Sequence, residues 1–375
     1  IPAVGIILAT GIISLALYPI WLWASGIYAV AAEGFGYLLF KIVNFFGGLS
    51  FSYIQVSHFN LINSMIYFSV LFLIGFIIIR INRIMLKIPL LLLSISIYFL
   101  FSGLSEKSFL PRNKLMVIAI DVGQGDSFFV NSPEGKKILI DCGNASEHFD
   151  NGERTILPLL RNLDVEKLDF VFISHLDRDH YGGFYSLERS LKIDSVYFPK
   201  PLMHRKTDAA FIDSLKKYRV DYSYYHKKKI YLGNSVVYIL NDTSLSALKF
   251  NNRNDNSGLL KIVFGNNSIL FTGDLSGKAE KVYDNLYSAA LRSDILKVGH
   301  HGSAHSTTLE FLDNVRPQTA LISVGAYNKF HHPSEEVIEK LKVRDVKIYR
   351  TDKLGALVFT SNGNNWRLID WRKDW

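Results

Sequence analysis

Two hydrophobic patterns divide the chain near residue 105. Before it, apolar residues run on almost without charge. Val4 to Trp23 and Leu61 to Ile79 reach the roughly 20 residues needed to cross a bilayer, and Ile88 to Leu104 is shorter but uncharged, with Pro89 near its start. Ala24 to Asn60, between the first two, is aromatic-rich and mixed. It reads as an interfacial amphipathic helix or as a segment packed against further helices. The pattern predicts about three transmembrane helices in a membrane-spanning segment, residues 1–104, and a second domain over 105–375. The basic loop Arg80, Asn82, Arg83, Lys87 lies between the second and third spans. Short basic loops stay cytoplasmic, which puts residues 105–375 on the extracytoplasmic face of a multi-pass cell-membrane protein.

After Lys114 the pattern changes to short apolar strands alternating with helical segments. Leu115 to Asp121, Ser127 to Asn131 and Lys137 to Asp141 form an antiparallel group with the turn Pro133-Glu134-Gly135. Strands are expected at Phe170–Ile173, Ser195–Phe198, Lys229–Leu240, Leu259–Phe264, Ser268–Phe271, Ile295–Val298, Ala320–Val324, Lys347–Tyr349 and Ala356–Thr360. Helices are expected at Ile156–Leu163, Gly183–Leu191, Ser276–Leu291 and Ser334–Lys342. The last begins at Ser334 with Glu335 and Glu336 in its first turn, as the helix dipole favours. Strand groups with helices between them predict two sheets covered by helices.

Composition adds three constraints. The chain has 375 residues, 49% of them apolar, and a net charge of +8. Residues 1–110 carry only Lys41, Arg80, Arg83, Lys87, Lys107, Glu33 and Glu106, so most of the charge belongs to the second part. Cys142 is the only cysteine, which excludes an intrachain disulfide and a cysteine-based zinc ribbon. It reads as a small buried residue. There is no charged region or small-residue cleavage site of a signal peptide, and the chain reads as part of a longer membrane protein.

The chemistry concentrates at strand ends. In Ser174-His175-Leu176-Asp177-Arg178-Asp179-His180, four potential metal ligands sit within six residues, directly after an apolar strand. On extended backbone His175 and Asp177 point the same way and can share one ion. Asp179 and His180, past the turn, can reach a second. Imidazole and carboxylate suit divalent first-row ions, and two such ions can clamp a scissile phosphate. The bland alternative is a solvated loop capping the next helix. Thr272-Gly273-Asp274 leaves a carboxylate at a strand tip, where it could bridge two ions or simply open a helix. Gly299-His300-His301-Gly302 offers an imidazole from one of its two histidines. Phe330-His331-His332-Pro333 reads as a loop or a substrate contact. The turn Asp121-Val122-Gly123-Gln124-Gly125-Asp126-Ser127 can present backbone N–H groups to a phosphate, and Asp141 can orient a ligand from behind.

A basic stretch lies between Lys200 and Tyr231. Lys200, His204, Arg205, Lys206, Lys216, Lys217, Arg219, His226, Lys227, Lys228 and Lys229 are interleaved there with Tyr218, Tyr222, Tyr224, Tyr225 and Tyr231. Cations that follow phosphates and tyrosines that stack on unpaired bases are what single-strand binders use. A solvated lysine-rich insertion is the alternative.

Five motifs in this order, Asp-Val-Gly-Gln-Gly-Asp, Ile-Asp-Cys-Gly, Ser-His-Leu-Asp-Arg-Asp-His-Tyr-Gly-Gly, Thr-Gly-Asp and Gly-His-His-Gly-Ser, resemble the metallo-β-lactamase-like domain of the ComEC-type DNA-uptake channels of bacterial competence. The resemblance covers about residues 113–365. It implies a four-layer αββα sandwich with the metal site at one edge of the sheets. It carries over His175, Asp177, Asp179, His180, Asp274 and His300 as ligands, with His301 the alternate for the last. Asp177 stands where the wider superfamily has histidine, which favours Mn²⁺ or Mg²⁺ over Zn²⁺. Asn254-Asp255-Asn256-Ser257 stands where the superfamily has another histidine, so one ion lacks its usual imidazole. One or two divalent ions are expected.

The leading expectation is therefore an extracytoplasmic metal-dependent nuclease of a DNA-uptake channel. Its partners are DNA, single-stranded above all, the lipid bilayer, and other competence proteins. Asp179, His301 and His332 are the expected catalytic groups. Gln124, Asp126, Ser127, Asn256, Lys227 and Lys228 are the expected substrate contacts. The alternatives are a catalytically silent DNA-binding module and a small-molecule metallohydrolase.

Overall fold

Alternation along buried strands sets the architecture. The computed structural model describes residues 2–47, 110–201, 205–241, 250 and 252–371, with isolated positions between 65 and 93. It divides into two compact units, Ile1–Ser105 and Glu106–Trp375.

In the first unit, helix α1 (Pro2–Leu17) and helix α2 (Leu22–Gly47) are joined by a turn at Tyr18-Pro19-Ile20. The expected span Val4–Trp23 is thus interrupted. Pro19 has no N–H to donate and disfavours helical backbone at the residue before it. Among the described residues, the helix long and apolar enough to cross a membrane is Leu22–Gly47, which occupies much of the stretch read as interfacial. At about 1.5 Å per residue it exceeds a hydrocarbon core of about 30 Å. Ser14 and Ser25 join the two helices reciprocally. Each hydroxyl donates to the other's carbonyl at 2.9 Å, a contact that substitutes for water in an apolar pair. The other two expected spans, Leu61–Ile79 and Ile88–Leu104, lie outside the described residues apart from isolated positions.

The second unit holds fifteen strands among the described residues: β1 (Leu115–Ala119), β2 (Phe128–Asn131), β3 (Lys137–Ile140), β4 (Lys167–Phe172), β5 (Lys192–Phe198), β6 (Asp221–Tyr224), β7 (Lys228–Leu232), β8 (Ser235–Ile239), β9 (Leu260–Phe264), β10 (Asn267–Phe271), β11 (Ile295–Lys297), β12 (Thr319–Ile322), β13 (Lys347–Arg350), β14 (Leu357–Ser361) and β15 (Trp366–Ile369). One sheet runs β15-β14-β1-β2-β3-β4-β5-β6 and the other β13-β12-β11-β10-β9-β8-β7.

Side chains on successive residues enter different cores, as the period of two requires. Leu115, Val117 and Ala119 join the cluster between the sheets, with Ile138, Ile269, Phe271 and Ile295. Met116, Ile118 and Ile120 turn outward to a second cluster with Leu160, Phe184 and Phe211 from helical segments. A third cluster packs Leu270, Leu296 and Ile322 against Tyr283, Phe311 and Leu341 of helices on the other side. Three apolar layers between two sheets and two helical layers make the αββα sandwich. Strands buried on both faces explain the unbroken apolar runs in the sequence.

Several elements differ from the sequence reading. The expected strand Lys229–Leu240 is a hairpin, β7 and β8, turning at Gly233-Asn234 with positive φ at Gly233. The expected helix Ser276–Leu291 ends at Tyr287 and continues as a 3₁₀ turn, Ser288–Leu291. The expected helix Ile156–Leu163 begins earlier, with a π-helical turn at Gly152–Ile156 leading into Leu157–Asn162. Helices Lys206–Lys217 and Leu309–Val315 and strands β6 and β15 were not expected.

Candidate metal centre

β3, β4, β5 and β6 are parallel, and so are β10, β11, β12 and β13. The segments after β3, β4, β10, β11 and β12 therefore all leave at C-terminal strand ends, where open α/β sheets place their sites. Asp141 follows β3, His175 to His180 follow β4, Asp274 follows β10, His300 and His301 follow β11, and Ser323 follows β12.

Asp274 is the centre. Its Oδ2 lies 3.3 Å from His180 Nε2, 3.7 Å from His301 Nε2, 3.8 Å from His300 Nε2 and 3.9 Å from His175 Nε2. Asp179 Oδ2 stands 3.5 Å from His301 Nε2 and 3.9 Å from His180 Nε2. His180 Nε2 and His301 Nε2 are nonetheless buried without a hydrogen bond. Two imidazole nitrogens and two carboxylate oxygens turned toward a common point fit a divalent first-row ion.

The rings are oriented from behind. His180 Nδ1 meets Asp141 Oδ2 at 2.9 Å, while Asp141 Oδ1 accepts from Ser174 N at 2.6 Å. His301 Nδ1 meets Ser323 O at 2.9 Å, which fixes the proton there and leaves Nε2 to the site. His175 Nδ1 has only hydroxyls, Ser174 Oγ at 3.1 Å and Ser257 Oγ at 3.4 Å. Backbone conformation decides which of the paired histidines turns inward. His300 and His301 are both left-handed, with φ of 48° and 54°, between Gly299 and Gly302. His301 is buried, whereas His300 keeps 32% side-chain exposure at the rim beside Asn254 Nδ2, 3.5 Å away. Of the two, His301 belongs to the close groups of candidate ligand atoms.

The glycine turn builds the floor. Gly125, at φ 142°, lies so close to the Asp179 carbonyl that a Cβ would collide with it. Asp126 N donates to that carbonyl at 3.2 Å. Asp126 and Ser127 are buried: Asp126 is paired with the Lys297 ammonium, and the Ser127 hydroxyl donates to Asp141 O at 3.1 Å. Both side chains are engaged within the framework. Gln124 Oε1 accepts from Gly325 N at 3.3 Å, joining two loops. Asn256 donates to Lys200 O at 3.2 Å. His332 stands beside His300, ring centroids 5.6 Å apart, as a rim residue.

Two basic residues escaped the sequence reading. Lys297, 1% exposed, donates to Gly273 O at 2.7 Å and forms an ion pair with Asp126, with Asp274 Oδ1 at 3.6 Å. Its only sequence signal is a lysine inside the apolar run Ile295–Val298. Arg253, in an asparagine-rich loop, donates to Asp177 Oδ1 at 2.8 Å, and to Asp208 and the Leu176 carbonyl.

Charges follow this geometry. Burial opposes protonation of His301, but Asp274 and Asp126 outweigh it and lift its pKa to about 10. For His180 burial again opposes and Asp274 and Asp141 prevail, well above the usual imidazole value. Burial pushes the Asp274 carboxyl up, and His180 and His301 bring it far below its usual range. His175 goes down to about 4 by burial, with neighbouring His180 adding to it. Burial and then His300 take His332 down to about 4.

The basic stretch forms the facing sheet edges. β6 and β7 are the outer strands of the two sheets. Lys216, Lys217, Arg219, His226, Lys227, Lys228 and Lys229 are exposed there. Tyr231 (70%) and Tyr218 (40%) are the exposed aromatic faces. Tyr225 is buried, and Tyr222 and Tyr224 pack on Phe198, so those three serve the core. Lys227 and Lys228 lie over the rings of Tyr287 and Tyr197, outside the metal cluster. His204 lies outside the described residues.

Fold and cluster together define a metallo-β-lactamase-type site, and the chain belongs to the metallo-beta-lactamase superfamily, whose family model matches residues 120–326. Among individual proteins its relatives include competence proteins, as the motifs suggested. It is 29% identical over 252 residues to ComE operon protein 3 of Bacillus subtilis, covering 64% of this chain and 32% of that protein. It is 30% identical over 249 residues to competence protein ComA of Neisseria gonorrhoeae, covering 66% and 33%. Recombination protein 2 of Haemophilus influenzae is 29% identical over 264 residues, covering 70% and 30%. The chain thus spans about a third of the length of the curated relatives it matches. Among solved structures, the diiron β-hydroxylase CmlA of Streptomyces venezuelae aligns with a TM-score of 0.45 and 14% identity, over 64% of this chain and 53% of that one.

Proposed function

We propose that the unit after residue 105 is a metal-dependent phosphodiesterase that cleaves DNA, single strands above all, as part of a membrane DNA-uptake protein. The carrying observation is the convergence of Asp179, His180, Asp274 and His301 at one strand-end edge. The competence relatives support DNA as the substrate. The basic β6–β7 edge, with Tyr218 and Tyr231, supports it independently. The helix Leu22–Gly47 supports membrane attachment, and the basic loop at Arg80–Lys87 supports an extracytoplasmic position for the unit.

When bound, a divalent ion, with Mn²⁺ favoured, supplies Lewis-acid stabilisation of charge on the phosphate. The chain's own residues do the rest. Asp179, His180, Asp274 and His301 would hold the ion. Asp141 and Ser323 fix the two rings, and Lys297 holds Asp126 beneath them. His300 and His332, at the rim, are placed to meet the phosphate or the leaving group. Lys227 and Lys228 would guide the strand.

The test is purified chain in detergent with end-labelled single- and double-stranded DNA and Mn²⁺. Cleavage that disappears in Asp179→Asn and Asp274→Asn is expected. Absence of cleavage, or cleavage indifferent to both substitutions, refutes the reading. Retained DNA binding without cleavage would instead support a silent binding module, a second reading favoured by the absence of an imidazole in residues 252–257.

A further inference from the structure

We infer that the centre holds one tightly bound ion, and that Arg253 takes the place of a second cation beside Asp177. The inference rests on the metal-dependent reading above and deepens it.

Four close groups of ligand atoms occur among the described residues: His175 with His180 and Asp274; Asp179 with His180 and His301; Asp126 with Asp274 and His301; Asp126 with Asp141 and His180. Asp177 belongs to none of them. Every group contains His180 or Asp274; the Asp126, Asp141 and His180 group lies at His180 Nδ1, behind the ring, whereas Asp274 and Asp179 face its Nε2. His175 borders that Nε2 side through His180 and Asp274.

On the Asp177 side, Asp177 Oδ2 faces His175 Nε2 at 3.6 Å, but a fixed cation already stands there. The Asp177 carboxylate is 38% exposed and is already paired with a guanidinium at 2.8 Å. That guanidinium is fixed at three points: Asp177, the buried Asp208 on helix Lys206–Lys217, and the Leu176 carbonyl. Arginine stays charged in proteins and cannot yield its place by losing a proton. An ion bound between His175 and Asp177 would face a fixed positive charge. The Ser257 hydroxyl of the 252–257 loop already accepts from Asp274 N at 3.2 Å and lies 3.4 Å from His175 Nδ1, behind the ring, so it does not take the place of the missing imidazole. The Asp179 side has the opposite character, with buried nitrogens that make no hydrogen bond and a carboxylate behind His180.

The experiment is Mn²⁺ binding to the full chain in detergent, read by calorimetry and elemental analysis. Electron paramagnetic resonance reports whether two ions couple. One tight ion per wild-type chain with an uncoupled spectrum is expected. Asp177→Asn should keep that ion, and Asp179→Asn should lose it. Arg253→Met should bind a second ion at least about tenfold more tightly than wild type does, a change of the size that altered neighbours of metal ligands produce. Two tight ions or a coupled spectrum in the wild type overturn the inference, and that count needs no variant to fold. Loss of the tight ion in Asp177→Asn, or an unchanged second site in Arg253→Met, overturns it as well. A wild-type chain that binds no Mn²⁺ overturns this inference and the metal-dependent reading together, whereas two ions leave that reading standing.

Discussion

Replacing Lys297 with methionine isolates the buried cation under the centre. The methionine stem fills most of the lysine's space, so packing on the sheet face that residue 297 shares with Ile295 and Phe271 is kept while the charge is removed. The wild-type ammonium is paired with Asp126, donates to Gly273 O at 2.7 Å and lies 3.6 Å from Asp274 Oδ1. Asp126 is itself 1% exposed. Its remaining cationic neighbours are His301 at 3.3 Å and His180 at 3.7 Å. Removing one partner of a buried pair costs about 3–5 kcal/mol, because the other charge stays behind. At about 2–4 °C per kcal/mol for a domain of this order of size, thermal unfolding should fall by roughly 10 °C. The melt is run with chelator, so that no bound ion adds stability. Asp126→Asn in the same chain neutralises the stranded carboxylate and should recover most of the loss, a non-additive cycle. A drop under about 2 °C, or a double variant that melts at the sum of the single effects, would refute the argument.

Asp141→Asn removes the carboxylate behind His180 and should weaken Mn²⁺ binding about 10–100-fold while the chain stays folded, checked by calorimetry beside circular dichroism. Ion binding should release roughly two protons at pH 7. His180 and His301 have pKa values raised by Asp274 and its neighbours, so without an ion both are protonated at neutral pH and an ion must displace those protons. Affinity therefore rises as pH rises through the neutral range. Calorimetry in two buffers of different ionisation enthalpy reads the protons, and zero net release would contradict the site's electrostatics. Lys227→Ala with Lys228→Ala should flatten the salt dependence of single-strand binding by about 0.7 in slope for each phosphate left without its lysine. An unchanged slope would remove this edge from the DNA path.

The sandwich was legible because its strands are apolar on both faces and end in Asp or Gly turns. β1, β2 and β3 lie almost where the apolar runs put them. β6 was hidden because Asp221-Tyr222-Ser223-Tyr224 is polar, and only its packing on Phe198 makes it an edge strand. The Gly233-Asn234 turn was visible, yet the β-rich residues on both sides masked it. In the centre, ligand types and strand-end positions could be read from spacing alone. Period-two alternation put His175 and Asp177 on one side, and Asp177 Oδ2 does lie 3.6 Å from His175 Nε2; what spacing could not show is that Asp177 Oδ1 is held by Arg253, 76 residues away along the chain. The inward turn of His301 depends on left-handed backbone at two successive histidines, which composition does not reveal.

The same long-range pairs explain why counting carboxylates overstates what the centre can hold. Asp126, Asp177, Asp179 and Asp274 all come from strand-end motifs. Lys297 neutralises the first and Arg253 the second, and neither basic residue belongs to the acidic or histidine clusters of the sequence. Asp179 and Asp274 remain facing His180 Nε2 and His301 Nε2. Two carboxylates against two imidazoles balance one dication with neutral rings. A second dication, beside His175, would have to share Asp274 and use Asp177 Oδ2, whose other oxygen is held by a guanidinium that cannot give up its charge. Arg253 also reaches Asp208 on helix Lys206–Lys217, the helix that begins the basic edge. The residue that limits the ion count thus joins the metal loop to the segment proposed to carry the strand. A change in metal stoichiometry in Arg253→Met should for that reason be accompanied by weaker single-strand binding, whereas Asp177→Asn, which leaves the Asp208 contact, should alter binding less.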